Sequence, residues 1–286
     1  MRVPQALMIP FLCAGLLAAQ EAAPKPAAQA EPAKPAPQDP EPVDSAFSKA
    51  YVREVWRDGK ETLSAPAHWE GPEWRTAGFS ALAVVGTALL LDRPARDAAV
   101  RNRTPGRDRV ARDIEPFGET AAAGVVGAFY LYGAAAGDSE AKHVAMDAFA
   151  ASLIASGILA PAFKFAVGRE RPGDSGPIDR FQPFHAQDPS FPSNHATEAF
   201  AVASVISAHY DSPWAGGIAY GVAGLVGLAR LEQNQHYASD VVAGALLGAF
   251  VGRKVVALNR PGGHQQVTVS PYATPEARGV AVAWTF

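Results

Sequence analysis

The sequence predicts an all-α protein built as an antiparallel helical bundle, and three observations carry that expectation. Six apolar stretches of helical length fall near residues 76–91, 119–136, 145–166, 196–210, 214–229 and 239–256. They are rich in Ala and Gly, which lets helices approach closely in a membrane or in a soluble bundle. Where the connections are short, consecutive helices pack antiparallel. A short C-terminal β-hairpin is the one expected departure. No internal repeat, dinucleotide fingerprint or P-loop is present.

Residues 1–20, MRVPQALMIPFLCAGLLAAQ, read as a signal peptide. Arg2 gives a minimal positive region, an apolar run follows, and small residues surround Ala18-Ala19. Cys13 is the only cysteine, so a disulfide framework or thiolate metal cluster is not expected. It follows Pro10-Phe11-Leu12, a poor match to a lipoprotein signal, and reads as apolar filler. Residues 21–44 are Ala/Pro-rich with scattered charge. Proline removes donors and blocks helix there, so an extended linker is expected.

A helical domain is expected over 45–260. Its first element, DSAFSKAYVREVWRDGKETL, is amphipathic, with Phe47, Tyr51, Val55 and Trp56 near one face. That face suits packing on the main body, or lying at a membrane interface. Residues 92–113 read as a strongly basic loop that raises the local positive potential. Over 261–286, alternation of Val280, Val282, Trp284 and Phe286 suggests a half-buried strand of a hairpin. Net charge is -3, which gives no reason to expect nucleic-acid binding. Mean hydropathy of -0.01 averages a polar N-terminal quarter with a long apolar middle.

Three islands stand out: KFAVGRERP with Lys164 and Arg171-Pro172, FPSNH with Ser193 and His195, and ARLEQNQHYASD with Arg230, His236 and Asp240. Lys164 lies near the end of the third apolar helix and His195 at the start of the fourth. Arg230 follows the fifth, and His236 and Asp240 open the sixth. In an antiparallel bundle these ends meet at one face, and the link between the fourth and fifth helices lies at the other. Three cations, two histidines and a carboxylate suit holding a phosphate-like oxyanion and attacking it.

The order and spacing of the islands resemble the type 2 phosphatidic acid phosphatase superfamily, which also includes bacterial acid phosphatases and vanadium-dependent haloperoxidases. The motifs cover 164–240, and the helical resemblance extends over roughly 75–256. Two departures are visible: Asn194 stands where the family has glycine, and Ala229 where it has serine. Asn tolerates a left-handed backbone, so the turn is expected to survive. Ala229 loses a hydroxyl.

The resemblance implies that His236 is a nucleophile forming a transient phosphohistidine, with Asp240 fixing its tautomer. His195 is then the leaving-group acid and later the base that prepares water. Lys164, Arg171 and Arg230 form the cationic cradle, and Ser193 and nearby amides bind phosphate at a helix start. Arg169 is either auxiliary or an outward salt bridge. Glu170, Asp174 and Asp179 read as loop or supporting residues. His185 suits the entrance and His209 a helix end. Phe181, Phe184 and Phe191 read as packing, with an apolar wall for a lipid tail as the sharper alternative.

The expected activity is metal-independent hydrolysis of a phosphate monoester, on a lipid phosphate or a polyprenyl diphosphate, with no cofactor. Alternatives are a haloperoxidase, with vanadate in the cradle, and a non-catalytic anion-binding protein. A phosphorylated small molecule or lipid is the expected partner, with membrane association; oligomeric state is left open. Several apolar helices look short for a bilayer span of roughly 20 residues. A cleaved signal with six crossings would put the motif loops in the cytoplasm, as would the basic 92–113 segment. The resemblance implies an extracytoplasmic site. The preferred expectation is an exported protein of the bacterial cell envelope, with spanning left open.

Overall fold

The computed structural model describes residues 48–173, 178, 180–185, 187–210 and 212–260, together with the backbone of 267–273 and 278–284. The signal peptide and linker expected over 1–44 lie outside the described residues, as do Phe47, Asp174, Asp179 and Phe286.

Helix α1 (Lys49–Ser64) starts where the Ser48 hydroxyl accepts the Tyr51 amide at 3.0 Å. Helix α2 (Gly71–Leu90) opens on a reciprocal cap between Glu70 and Glu73, with Pro72 where a missing N–H costs nothing. The chain then bends by 49° into α3 (Asp92–Arg101). Helix α4 (Pro105–Ile114) follows, capped by Thr104. Residues 92–113, expected as a loop, are thus mostly helical. Ala and Arg are good helix formers, and Thr104-Pro105 supplies the start of α4.

Helix α5 (Thr120–Ala136) ends at Gly137. Helix α6 (Ser139–Ser152), capped by Asp138, runs through a π-helical turn at Leu153–Leu159 into α7 (Ala160–Val167). The turn ends just before Pro161, whose ring cannot serve as a donor in an α-helical ladder. Helices α8 (Asn194–His209), α9 (Pro213–Glu232) and α10 (Ala238–Asn259) complete the bundle. In the tail, the backbone of Val267–Ala273 (β1) pairs antiparallel with that of Arg278–Trp284 (β2). The bundle alone defines the all-α fold.

Helix α8 packs against α6, α9 and α10. Its core partners include Ala148, Ala151 and Ile154 before it and Val251 and Val255 after it. The approach of α10 is close because Gly248 and Gly252 face it: a Cβ at either would overlap Thr197 or Ser204. This small-residue stripe fixes the register that brings the start of α10 beside the start of α8.

Among the described residues, three helical runs are long and apolar enough to cross a membrane: Ser139–Val167, Pro213–Glu232 and Ala238–Asn259. The bent α2–α3 pair is a fourth if counted as one span. The 214–229 and 239–256 stretches understate two of these helices, whose ends run past the apolar residues to Pro213–Glu232 and Ala238–Asn259. Large apolar side chains point outward on α2, α5 and α9, among them Phe79, Leu89, Leu131, Trp214 and Ile218. A belt of that size has the character of a lipid-facing surface.

Candidate active site

Lys164 sits in the last turn of α7, which stops at Gly168 in the left-handed conformation (φ 60°). A side chain at Gly168 would also overlap the Gln182 backbone. The helix therefore ends abruptly, and the chain turns Arg169 and Arg171 back toward α10. The Lys164 ammonium donates to the Pro189 carbonyl at 2.5 Å. The Ser193 amide donates to the Asp240 carbonyl at 3.0 Å, joining the starts of α8 and α10.

His236 and Asp240 are buried, and His195 is mostly so. The His236 Nε2 lies 3.4 Å from Arg171 Nη1, facing the cationic side of the site. Its Nδ1 faces Asp240 Oδ2 at 3.7 Å, beyond hydrogen-bond distance. Asp240 Oδ2 accepts the Tyr237 amide at 2.8 Å. The ring is thus oriented with one nitrogen toward Asp240 and the other toward Arg171. Burial pushes His236 down to about 4, against the pull of Asp240 in the other direction, so the imidazole is neutral near neutrality.

The His195 Nε2 stands 3.6 Å from Glu115 and 3.5 Å from Glu119 and has no hydrogen-bond partner among the described residues. Burial and then the Arg230 charge lower it to about 4. The Arg230 guanidinium reaches Glu115 and Gln233, and Gln233 bonds Glu115 at 2.8 Å. Burial works to raise the Glu115 carboxyl, but the bonds from Gln233 and Arg230 hold it low. Arg171 clamps Asp188 in a two-point fork, 2.7 Å at each bond, and this holds Asp188 ionised. Arg230 and Arg171, two of the three cations expected to cradle an oxyanion, thus each hold a carboxylate.

Ser193 is fully buried, and its hydroxyl accepts the Ala196 amide as the cap of α8. Its O–H is still a donor in principle, but its visible task is the cap. Asn194 is the first residue of α8 and does not have a positive φ. The expected left-handed turn is not formed, because Ser193 makes the entry in extended backbone (φ -72°, ψ 114°).

Several supporting residues depart from the sequence reading. Arg169 is buried and points inward, between Asp240 and Asp92. Asp92, Glu115 and Glu119 lie far from the motifs in the chain and carry no sequence signal beyond local charge. Phe181 and Phe184 are exposed rather than packed in the core, with Phe165 edge-on to Phe184 at 5.4 Å. His185 is exposed near this approach. Glu170 bonds Gln182 on the loop. His209 lies at the other end of α8 and takes no part in the site.

Residues 147–261 match the family described as the PAP2 superfamily. Among curated relatives, the lipid A 1-phosphatase of Porphyromonas gingivalis is 34% identical over 113 residues, 39% of this chain and 22% of the relative. The lipid A 1-phosphatase of Rhizobium johnstonii is 35% identical over 104 residues, 35% of this chain and 41% of the relative. The chain thus spans less than half the length of these relatives. Two solved structures are also similar. Aquifex aeolicus LpxE is 20% identical, with TM-score 0.46, covering 58% of this chain and 94% of its own. The Bacillus subtilis transmembrane PAP2-type phosphatidylglycerolphosphate phosphatase is 21% identical, with TM-score 0.43, covering 62% and 92% respectively.

Proposed function

We propose that this chain, a member of the PAP2 superfamily, is a membrane-embedded lipid phosphatase that works through a phosphohistidine at His236. The observation that carries the reading is the meeting of both histidines with Lys164, Arg171 and Arg230 at one end of the bundle. His236 Nε2 attacks phosphorus, an N–P bond forms, and the P–O bond to the lipid breaks. His195 gives its proton to the leaving oxygen. Water then attacks phosphorus, His195 takes up a proton, and the N–P bond breaks to release inorganic phosphate. The three cations spread positive charge over the phosphoryl oxygens as the bonds change.

The relatives' names put lipid A 1-phosphate first among substrates. The outward apolar belt and the exposed Phe181 and Phe184 beside the site support a lipid leaving group that stays in the bilayer. An export signal at 1–20, a linker at 21–44, a catalytic domain at 45–260 and a C-terminal hairpin extension at 261–286 belong to this proposal.

The test is phosphate release by the full chain in mixed micelles, from lipid A, phosphatidic acid, polyprenyl diphosphate and a soluble monoester. The expected result is release from a lipid phosphate, lost in His236→Ala. No release from any of the four by folded protein would overturn the reading.

A further inference from the structure

Behind His236 lies a closed polar corner built by residues from three separate parts of the chain. Arg169 Nη1 donates to Asp240 Oδ1 at 2.8 Å and to the Ser239 hydroxyl at 2.7 Å. Its Nη2 donates to Asp92 Oδ2 at 2.7 Å. Asp92 also accepts the Ser239 amide at 2.8 Å and the Ser239 hydroxyl at 2.7 Å. The guanidinium lies over the Tyr237 ring, 3.8 Å from its centroid. Asp92 and Asp240 are fully buried, and Arg169 is 5% exposed.

Two buried carboxylates therefore share one cation. A buried charge without a partner is strongly destabilising, so this corner tolerates few alternative arrangements. Arg169 takes one oxygen of Asp240, and the other is left for the Tyr237 amide and the face of His236. That division fixes the plane of the carboxylate.

We infer that Asp92 and Arg169 are positioning residues for the nucleophile: they hold Asp240 and the start of α10 so that His236 presents Nε2 to the phosphate. This rests on the reading of His236 as nucleophile. Asp92 sits at the α2–α3 bend, so that bend is a structural part of the active site and its role is to carry this carboxylate.

The experiment is a double-mutant cycle on the full chain in micelles, with Asp92→Asn, Asp240→Asn and both together. Ser239→Ala, a small change, serves as a second probe should Asp92→Asn fail to fold. Phosphate release gives kcat and KM, and the ¹⁵N signals of the His236 imidazole give its tautomer. Asp92→Asn is expected to lower kcat about tenfold or more and leave KM within about twofold. In the Asp240→Asn background the same change should cost less than about twofold, because its effect runs through Asp240. Ser239→Ala should show the same loss of effect in that background. Wild-type kcat in folded Asp92→Asn, or a loss of equal size in both backgrounds, overturns the inference. Should the wild type release no phosphate, the proposed function fails separately, and the imidazole signals still decide. A changed His236 tautomer in Asp92→Asn or Ser239→Ala supports positioning, and unchanged signals in folded protein overturn it.

Discussion

His236 and Asp240 lie four residues apart and face each other, yet Nδ1 and Oδ2 are separated by 3.7 Å, while the same oxygen accepts the Tyr237 amide at 2.8 Å. The carboxylate is thus held by the backbone first and is available to the ring second. On the proposed mechanism, a small movement of the imidazole toward Asp240 would close the hydrogen bond as positive charge develops on the ring. Asp240→Asn keeps the shape and the contact with the amide's oxygen side but removes the charge and leaves Arg169 with an amide. The expected result is a fall in kcat of about 10²–10⁴-fold with KM little changed. Steady-state phosphate release checks it; an equal rise in KM would mean that Asp240 acts on binding.

Both histidines are lowered to about 4, so the free enzyme holds two neutral imidazoles at pH 7. That suits His236 and leaves His195 without the proton its first task requires. A phosphate monoanion can supply it, and phosphate monoesters lose this proton near pH 6. The expected kcat/KM therefore falls below about pH 4, where His236 is protonated, and falls again above about pH 6, where the substrate is a dianion. His195→Ala should cost about 10²–10⁴-fold on a lipid phosphate and far less on an aryl phosphate, whose leaving group needs no proton. The pH–rate profile and the comparison of leaving groups check this. An optimum above pH 8 contradicts it.

The parts of this site that were legible from sequence are those whose spacing is tied to helix ends. Lys164, Arg171, Arg230, His236 and Asp240 sit at fixed distances from helix boundaries, and the antiparallel order places those boundaries at one face. The helix before Leu91 is legible as the 76–91 apolar stretch, whereas the bend at Leu91 and the helices after it are not. The 92–113 segment is charged, and charge hides its helical propensity and the Thr104 cap. Asp92 looked like one acid in a charged run, because what distinguishes it is burial against Ser239 and Arg169, residues more than seventy positions away. Arg169 was ambiguous for the same reason: two residues before Arg171, its direction depends on the chain reversal at Gly168. At Asn194 the family's glycine suggests a turn, whereas the local backbone enters α8 without a positive φ.

Arg171 holds Asp188 through two bonds of 2.7 Å, and Asp188 is largely exposed. A phosphate entering the cradle competes with that carboxylate for the same fork. Exposed pairs of this kind contribute at most about 1 kcal/mol, so displacement is cheap. Asp188→Asn is expected to tighten competitive inhibition by inorganic phosphate by up to about fivefold, with kcat unchanged within about twofold. The difference should shrink at high salt, where screening weakens the pair. An inhibition constant equal to that of wild type at low salt shows that Asp188 leaves the fork without competing.

At the end of the bundle away from the site, the His209 ring bonds Asp147 and Glu140, each at 2.8 Å. Asn259 bonds Asp147 on its other oxygen at 2.8 Å and Asp58 at 2.9 Å, tying α1, α6, α8 and α10 together. Burial acts to lower His209, but these acidic partners prevail and its pKa is raised. A raised histidine pKa adds stability that is complete below the unfolded value of about 6.5 and disappears as pH rises through the folded value. The lowered His195 and His236 act with the opposite sign, adding destabilisation as pH falls from about 6.5 to about 4. His209→Gln should therefore lower Tm at pH 6 by more than at pH 9. A charge-assisted bond to a buried carboxylate is worth about 1.5–3 kcal/mol, which corresponds to roughly 3–10 °C for a chain of this size. Thermal unfolding in detergent at the two pH values checks the sign. An equal loss at both would show that His209 is held as a neutral ring.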